Sequence, residues 1–133
     1  MFPLLKRLLR ERVLVVWWAG AVSVFVCLAT LGCGPARTLA SSPCPDGGTQ
    51  LTYVNFGRSF MARYCQSCHA SDARARAGAP SNYTFDDLPS IVAWRDRVFE
   101  RSAAENDTMP PGPDDPPFAE RMRLAEWLSC GPR

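Results

Sequence analysis

With 133 residues the chain has room for one compact domain, and its first thirty-odd residues read as a targeting segment rather than as part of that domain. The formal charge of +2 belongs to the leader, where Lys6, Arg7, Arg10 and Arg12 face only Glu11; from Cys33 onward eleven Arg and no Lys stand against twelve Asp or Glu. That near-neutral balance excludes a nucleic-acid footprint and leaves at most a weak preference for a basic partner.

Residues 1–12 are basic, and Val13 to Leu31 form an apolar run of nineteen residues that ends at Gly32-Cys33. This is an export signal, long for a cleaved h-region and just long enough to span a bilayer, with its basic flank keeping the N-terminus cytoplasmic. The segment Thr30-Leu31-Gly32-Cys33 resembles a bacterial lipobox, in which the thiol of the cysteine is acylated, although Thr30 holds the place where leucine is usual. Residues 1–32 are therefore expected to be a signal peptide, and Cys33 a lipidation site. An uncleaved anchor and an ordinary cleaved signal remain the alternatives. The product is exported, and in the first two cases it stays tethered to the membrane facing the periplasm.

From Cys33 to Gly48 the chain is rich in Pro, Ser, Ala and Gly, and reads as a flexible linker because it has too little apolar surface to bury. The domain is expected over 49–133. Its first helix is predicted from about Leu51 to Tyr64, with Val54, Phe56, Gly57, Phe60, Met61 and Tyr64 forming an inward stripe. A second is predicted from Asp87 to Glu105, capped by Asp86 or Thr84, with Pro89 in its first turn and Leu88, Ile91, Val92, Val98 and Phe99 inward. A third runs from Phe118 to Ser129, with Phe118, Met122, Leu124, Ala125, Trp127 and Leu128 inward, and stops at Gly131-Pro132. No stretch alternates as a strand does, and no repeat suggests a second unit, so the domain should be all-α.

The first helix leads straight into Cys65-Gln66-Ser67-Cys68-His69. Two thiols three positions apart can add to the two vinyl groups of a haem, and the next residue can then turn a ring nitrogen onto the iron. His69 is the only histidine in the chain, so no other imidazole competes for that place. Two plainer readings use the same residues. A structural zinc needs four ligands and could recruit Cys44 and Cys130 or His69, but a second closely spaced ligand pair is missing. A thiol redox pair would open a helix in a βαβ pattern, whereas this pair closes a helix in a chain without strands.

For the opposite face of the iron the candidates are Met61, Met109 and Met122, of which only Met109 lies in a loop. Met61 and Met122 sit within helices, where methionine ordinarily fills gaps in a core. Thr108-Met109-Pro110-Pro111, forty residues beyond His69, is held extended by its prolines and suits a thioether ligand. The Gly78-Ala79-Pro80 turn is the expected source of a backbone carbonyl, from Pro80, for the second ring nitrogen of His69.

Taken together, these residues make 49–133 resemble the class I c-type cytochromes, a monohaem all-α family with His/Met ligation. Gly57, eight residues before Cys65, and Trp127 hold the places of the family's glycine and aromatic where the first and last helices cross; Met61 stands where the family has an aromatic. Pro80 and Met109 match the family's proline and axial methionine. The resemblance implies a cytochrome c-like fold of three to four helices around one covalent haem c, and a monomeric single-electron carrier rather than an enzyme. Its donor and acceptor would be redox proteins whose identity the residues do not give. Cys44 and Cys130 lie outside the family's common core, one before the first helix and one at the end of the last, and are expected to form a disulfide in an oxidising compartment. The rival function is a haem-based ligand sensor with an open iron; a small peroxidase lacks a distal acid or base.

Overall fold

The computed structural model describes residues 37–133, which contain five α-helices and no strand. The expectation of an all-α domain is met. The expected signal peptide and Cys33 lie outside the described residues, and among the described residues no helix is long and apolar enough to cross a membrane.

Thr52 and Asn55 start the first helical segment by satisfying each other's backbone: the Thr52 hydroxyl accepts from Asn55 N–H at 3.1 Å, and Asn55 Oδ1 accepts from Thr52 N–H at 2.7 Å. The opening turn, Tyr53–Gly57, is wide, closed by Gly57 N–H on the Thr52 carbonyl at 3.1 Å. It continues into α1 (Arg58–Tyr64). Phe56, Gly57, Phe60, Met61 and Tyr64 are buried as predicted, but Val54 is 86% exposed. The extra residue of the wide turn rotates it off the stripe. The chain breaks at Cys65 and resumes as α2 (Gln66–His69).

The predicted second helix is two. Asp87, not Asp86 or Thr84, caps α3 (Leu88–Ala93), its carboxylate accepting from Ser90 N–H at 2.9 Å. That bond holds the Asp87 carboxyl below its usual value. Asp86 is occupied elsewhere, both its oxygens lying 3.1 Å from Ser71 N–H. Trp94 leaves the helical conformation and stacks on Tyr83 with ring centroids 4.1 Å apart, after which α4 (Arg95–Ser102) begins. It stops short of Glu105 because Ala103 is extended and Ala104 is left-handed at φ 55°, while the Phe99 carbonyl, which accepts from Ala103 N–H at 3.1 Å, takes a second bond from the Asn106 amide at 3.0 Å. Val92, predicted inward, is 46% exposed.

The last helix, α5 (Phe118–Ser129), has the predicted bounds and buries Leu124, Ala125, Trp127 and Leu128. Phe118 and Met122, expected inside, are 53% and 40% exposed. Arg121 takes the inward position of that end instead, donating to the carbonyls of Ala104 and Pro116 at 3.1 Å each. The core is thus Phe56, Phe60, Met61, Ile91, Phe99, Leu124, Trp127 and Leu128, each side chain contributing about 1.5–3 kcal/mol by its burial.

The linker expected to reach Gly48 is anchored from Arg37 onward. Leu39 packs on the core, Asn106 donates to the Arg37 carbonyl at 2.7 Å, and Cys44 is bonded to Cys130 with Cα atoms 4.6 Å apart. The C-terminus returns to the same place: Tyr53 N–H donates to the Arg133 carbonyl at 2.6 Å, Arg133 donates to the Thr49 carbonyl at 2.8 Å, and the Thr49 hydroxyl donates to Glu126. A Pro/Ser-rich segment orders here through covalent and polar ties with one apolar contact, from Leu39.

Two outcomes follow. A Cβ at position 57 would collide with the Trp127 indole, so Gly57→Ala should cost about 1–3 kcal/mol, read as a lowered denaturant midpoint. Cys44 and Cys130 enclose 86 residues of sequence separation, so the double serine variant should lose about 2–4 kcal/mol while keeping its helical content. Two alkylatable thiols at 44 and 130 in unreduced protein would refute the bond.

Candidate functional site

α1 runs into Cys65, and the single turn of α2 sets Cys68 and His69 immediately after it. What fixes this turn is the extended segment Tyr83–Phe85, which lies against it. Phe85 N–H donates to the His69 carbonyl at 2.9 Å, Gln66 donates to the Phe85 carbonyl at 2.8 Å, and His69 Nδ1–H donates to the Tyr83 carbonyl at 2.9 Å. The imidazole also stacks on the Phe85 ring, centroids 4.7 Å apart. With Nδ1 carrying the proton, Nε2 is left with its lone pair free to bind a metal.

Pro80 was expected to supply that carbonyl and does not. Its oxygen accepts from Arg76 at 2.9 Å and from Tyr83 N–H at 3.1 Å. The loop closes three residues further along than the sequence suggests, because Arg76 fills its centre. From there the guanidinium donates to the carbonyls of Ala70 (2.6 Å), Ala79 (3.3 Å), Pro80 (2.9 Å) and Tyr83 (3.1 Å). The turn Arg76–Ala79 has both central residues left-handed, Ala77 at φ 47° and Gly78 at φ 84°.

Met109 is fastened from the opposite side. Its N–H donates to the Arg101 carbonyl at 2.9 Å and the Thr108 hydroxyl donates to the same oxygen at 3.3 Å, tying the proline-rich loop to the end of α4. Cys65, Cys68, His69 and Met109 all line one cavity of about 270 Å³, together with Tyr64, Tyr83, Phe85, Val98, Pro110 and Pro111. Met61 is fully buried in the core, and neither it nor Met122 reaches the cavity. Of the arginines flanking the motif in sequence, Arg58, Arg63 and Arg74 do not line it; Arg76 does, joined by Arg97 and Arg101 of α4. Their i, i+4 spacing was the available signal. Tyr64, Tyr83 and Phe85 were also missed as site residues, since a tyrosine carbonyl leaves no mark in sequence.

The donor set can be weighed against the three chemistries. Cys65 and Cys68 are both free, and Cys65 is buried, which pushes its thiol up to about 12. A redox dithiol needs an accessible thiolate, so this environment disfavours exchange chemistry. Zinc fares no better: among the described residues no group of three or more His, Cys, Asp or Glu converges, and Cys44 and Cys130 are spent on each other. A large apolar group with anionic edges suits the residues present. Two thiols, one free imidazole nitrogen and one thioether border a mostly apolar cavity rimmed by Arg97 and Arg101. The Tyr64 hydroxyl is buried. Burial, the charge of Glu120 and a hydrogen bond towards that carboxylate raise its pKa, so it stays an O–H.

No family model matches the chain, and neither a curated protein nor a solved structure does.

Burial of Cys65 against the half-buried Cys68 predicts unequal reactivity when both thiols are free. At pH 8 only about one Cys65 in ten thousand is thiolate, so iodoacetamide should label Cys68 first, with the difference vanishing in denaturant. Equal labelling of the folded chain would contradict this account of Cys65.

Proposed function

We propose that the chain is an exported single-electron carrier of the c-type cytochrome kind. In this reading one haem is bonded through the sulfurs of Cys65 and Cys68, with His69 and Met109 as axial ligands. The observation that carries it is the meeting of those four side chains on one apolar cavity, although Met109 lies forty residues from His69. The meeting of Gly57 with Trp127 and the all-helical core support a cytochrome c-like fold.

When bound, the haem supplies a one-electron iron couple. The chain's part is to hold and insulate it. The Tyr83 carbonyl and Phe85 ring fix the plane of His69 and its free nitrogen. The Arg101 carbonyl holds the Met109 backbone in place, so the soft thioether remains available and favours the reduced state. Arg97 and Arg101 would meet the propionates. Val98, Phe85, Pro110 and Pro111 would keep water from the group, which would reduce the solvent reorganisation that accompanies a change of charge at the iron.

The Cys44–Cys130 bond agrees with an oxidising compartment and so with export. Lipidation at Cys33, or an uncleaved 1–32 anchor, would keep a monomer near its redox partners on the periplasmic face of a membrane.

Protein matured with a c-type haem assembly system should give a low-spin spectrum, retain haem after denaturation and show a sulfur-to-iron charge-transfer band. Met109→Ala should abolish that band and lower the potential. Absence of covalent haem would defeat the proposal, and a spectrum indifferent to Met109→Ala would turn it towards an open-iron sensor.

A further inference from the structure

One cation in the site has no counterpart in the reading above. Arg76 and His69 share an acceptor: Arg76 Nη2–H donates to the Tyr83 carbonyl at 3.1 Å while His69 Nδ1–H donates to it at 2.9 Å. A carbonyl has two lone pairs, so both bonds can stand together. Their effects oppose each other. The more strongly an acceptor draws the Nδ1 proton, the more basic the ring becomes at Nε2 and the better it stabilises an oxidised metal. A guanidinium on the same oxygen takes part of that electron density and weakens the pull.

Arg76 is also well fixed. Four backbone carbonyls, of Ala70, Ala79, Pro80 and Tyr83, receive its nitrogens, and Ala79 N–H returns to its own carbonyl at 2.8 Å. No carboxylate pairs with it among the described ion pairs, so its charge acts on the carbonyls it touches. The turn itself is already closed by the backbone bond from Ala79 N–H to the Arg76 carbonyl. The bond to Tyr83 reaches past the turn to the one oxygen that orients the imidazole.

We propose that Arg76 is a positioning residue that sets the donor strength of His69 through the Tyr83 carbonyl and thereby raises the reduction potential of the bound iron. The inference rests on the electron-carrier reading.

The test uses the full chain, haem-loaded, as wild type, Arg76→Gln and Arg76→Lys, with the potential, the charge-transfer band and the His69 Nδ1–H resonance of the reduced protein measured on each. Arg76→Gln should raise the oxidised-to-reduced ratio at a fixed ambient potential about tenfold, equivalent to ~59 mV for one electron, with the band retained. Its Nδ1–H resonance should move downfield, because Tyr83 now serves His69 alone. A merely structural role predicts the opposite, an upfield, faster-exchanging proton as the loop loosens, and that result would overturn the proposal. If Arg76→Gln does not mature, Arg76→Lys, which keeps the charge but loses the fork, should raise the ratio by about two- to fivefold in the same direction. A wild-type potential in whichever variant matures, with His/Met ligation intact, removes the role of Arg76 and leaves the carrier reading standing. A wild-type chain without covalent haem removes both.

Discussion

The close approach of Gly57 to Trp127 is the contact on which the site's placement depends. α1 is only seven residues long and leads without a loop into Cys65, so its direction decides where the first thiol lies. That direction is set where its first turn crosses α5, with the backbone of Gly57 directly against the indole and Phe56 edge-on to the same ring at 6.0 Å. Any side chain at 57 would lift the helix off Trp127, and the displacement would pass along a rigid rod to Cys65 and His69. The disulfide and the Thr49–Glu126 and Arg133–Thr49 bonds brace the same crossing from outside. The segment before the first helical turn and the C-terminus thus serve to hold one helix angle.

The second constraint is backbone polarity around the cavity. Between Ala70 and Phe85 the chain forms no regular element, so its carbonyls need partners from elsewhere. Three sources meet the need: Arg76, the Gln66 amide and the His69 ring. Each of these bonds ties the loop to α2 or to itself, so the segment that supports the imidazole is ordered by hydrogen bonds together with the burial of Phe85. Arg76 and its turn are the least replaceable part, since Ala77 is held left-handed at a cost of roughly 1–2 kcal/mol.

What sequence could disclose divides along the same line. The helix ends with local chemical marks were legible: α5 begins after Pro117 and ends before Gly131, and α1 was placed by its buried stripe. The core members Phe60, Met61, Phe99, Leu124 and Trp127 followed from periodicity. Periodicity failed where one residue changed the register or a polar side chain claimed the inner face, as the wide turn did for Val54 and Arg121 did for Phe118 and Met122. The motif thiols, His69 and Met109 could be named because their side chains are chemically distinctive. The Tyr83 carbonyl could not, because any residue supplies a carbonyl and only the folded loop chooses which one. Pro80 was the reasonable choice from spacing, and it lost to Arg76, whose side chain occupies the space that a shorter loop would have needed.

The distribution of apolar surface points towards a filled site. Fully buried side chains concentrate where α1, α4 and α5 meet, with Phe99, Met61, Trp127, Leu124 and Leu128 at 0% exposure. On the other side of Cys65 and Val98 that packing gives way to the 270 Å³ cavity, bordered by Phe85, Pro110 and Pro111. A domain of fewer than a hundred residues has little core to spare, and small domains commonly meet that deficit with a staple or a large cofactor. The disulfide supplies one staple, between Cys44 ahead of the first helical segment and Cys130 at the end of α5. Among the described residues no hydrogen bond or ion pair joins α2 to the Met109 loop across the cavity. A group bonded to the thiols and to His69 on one wall and to Met109 on the other would close that gap, so the haem proposed for this site would also complete the core.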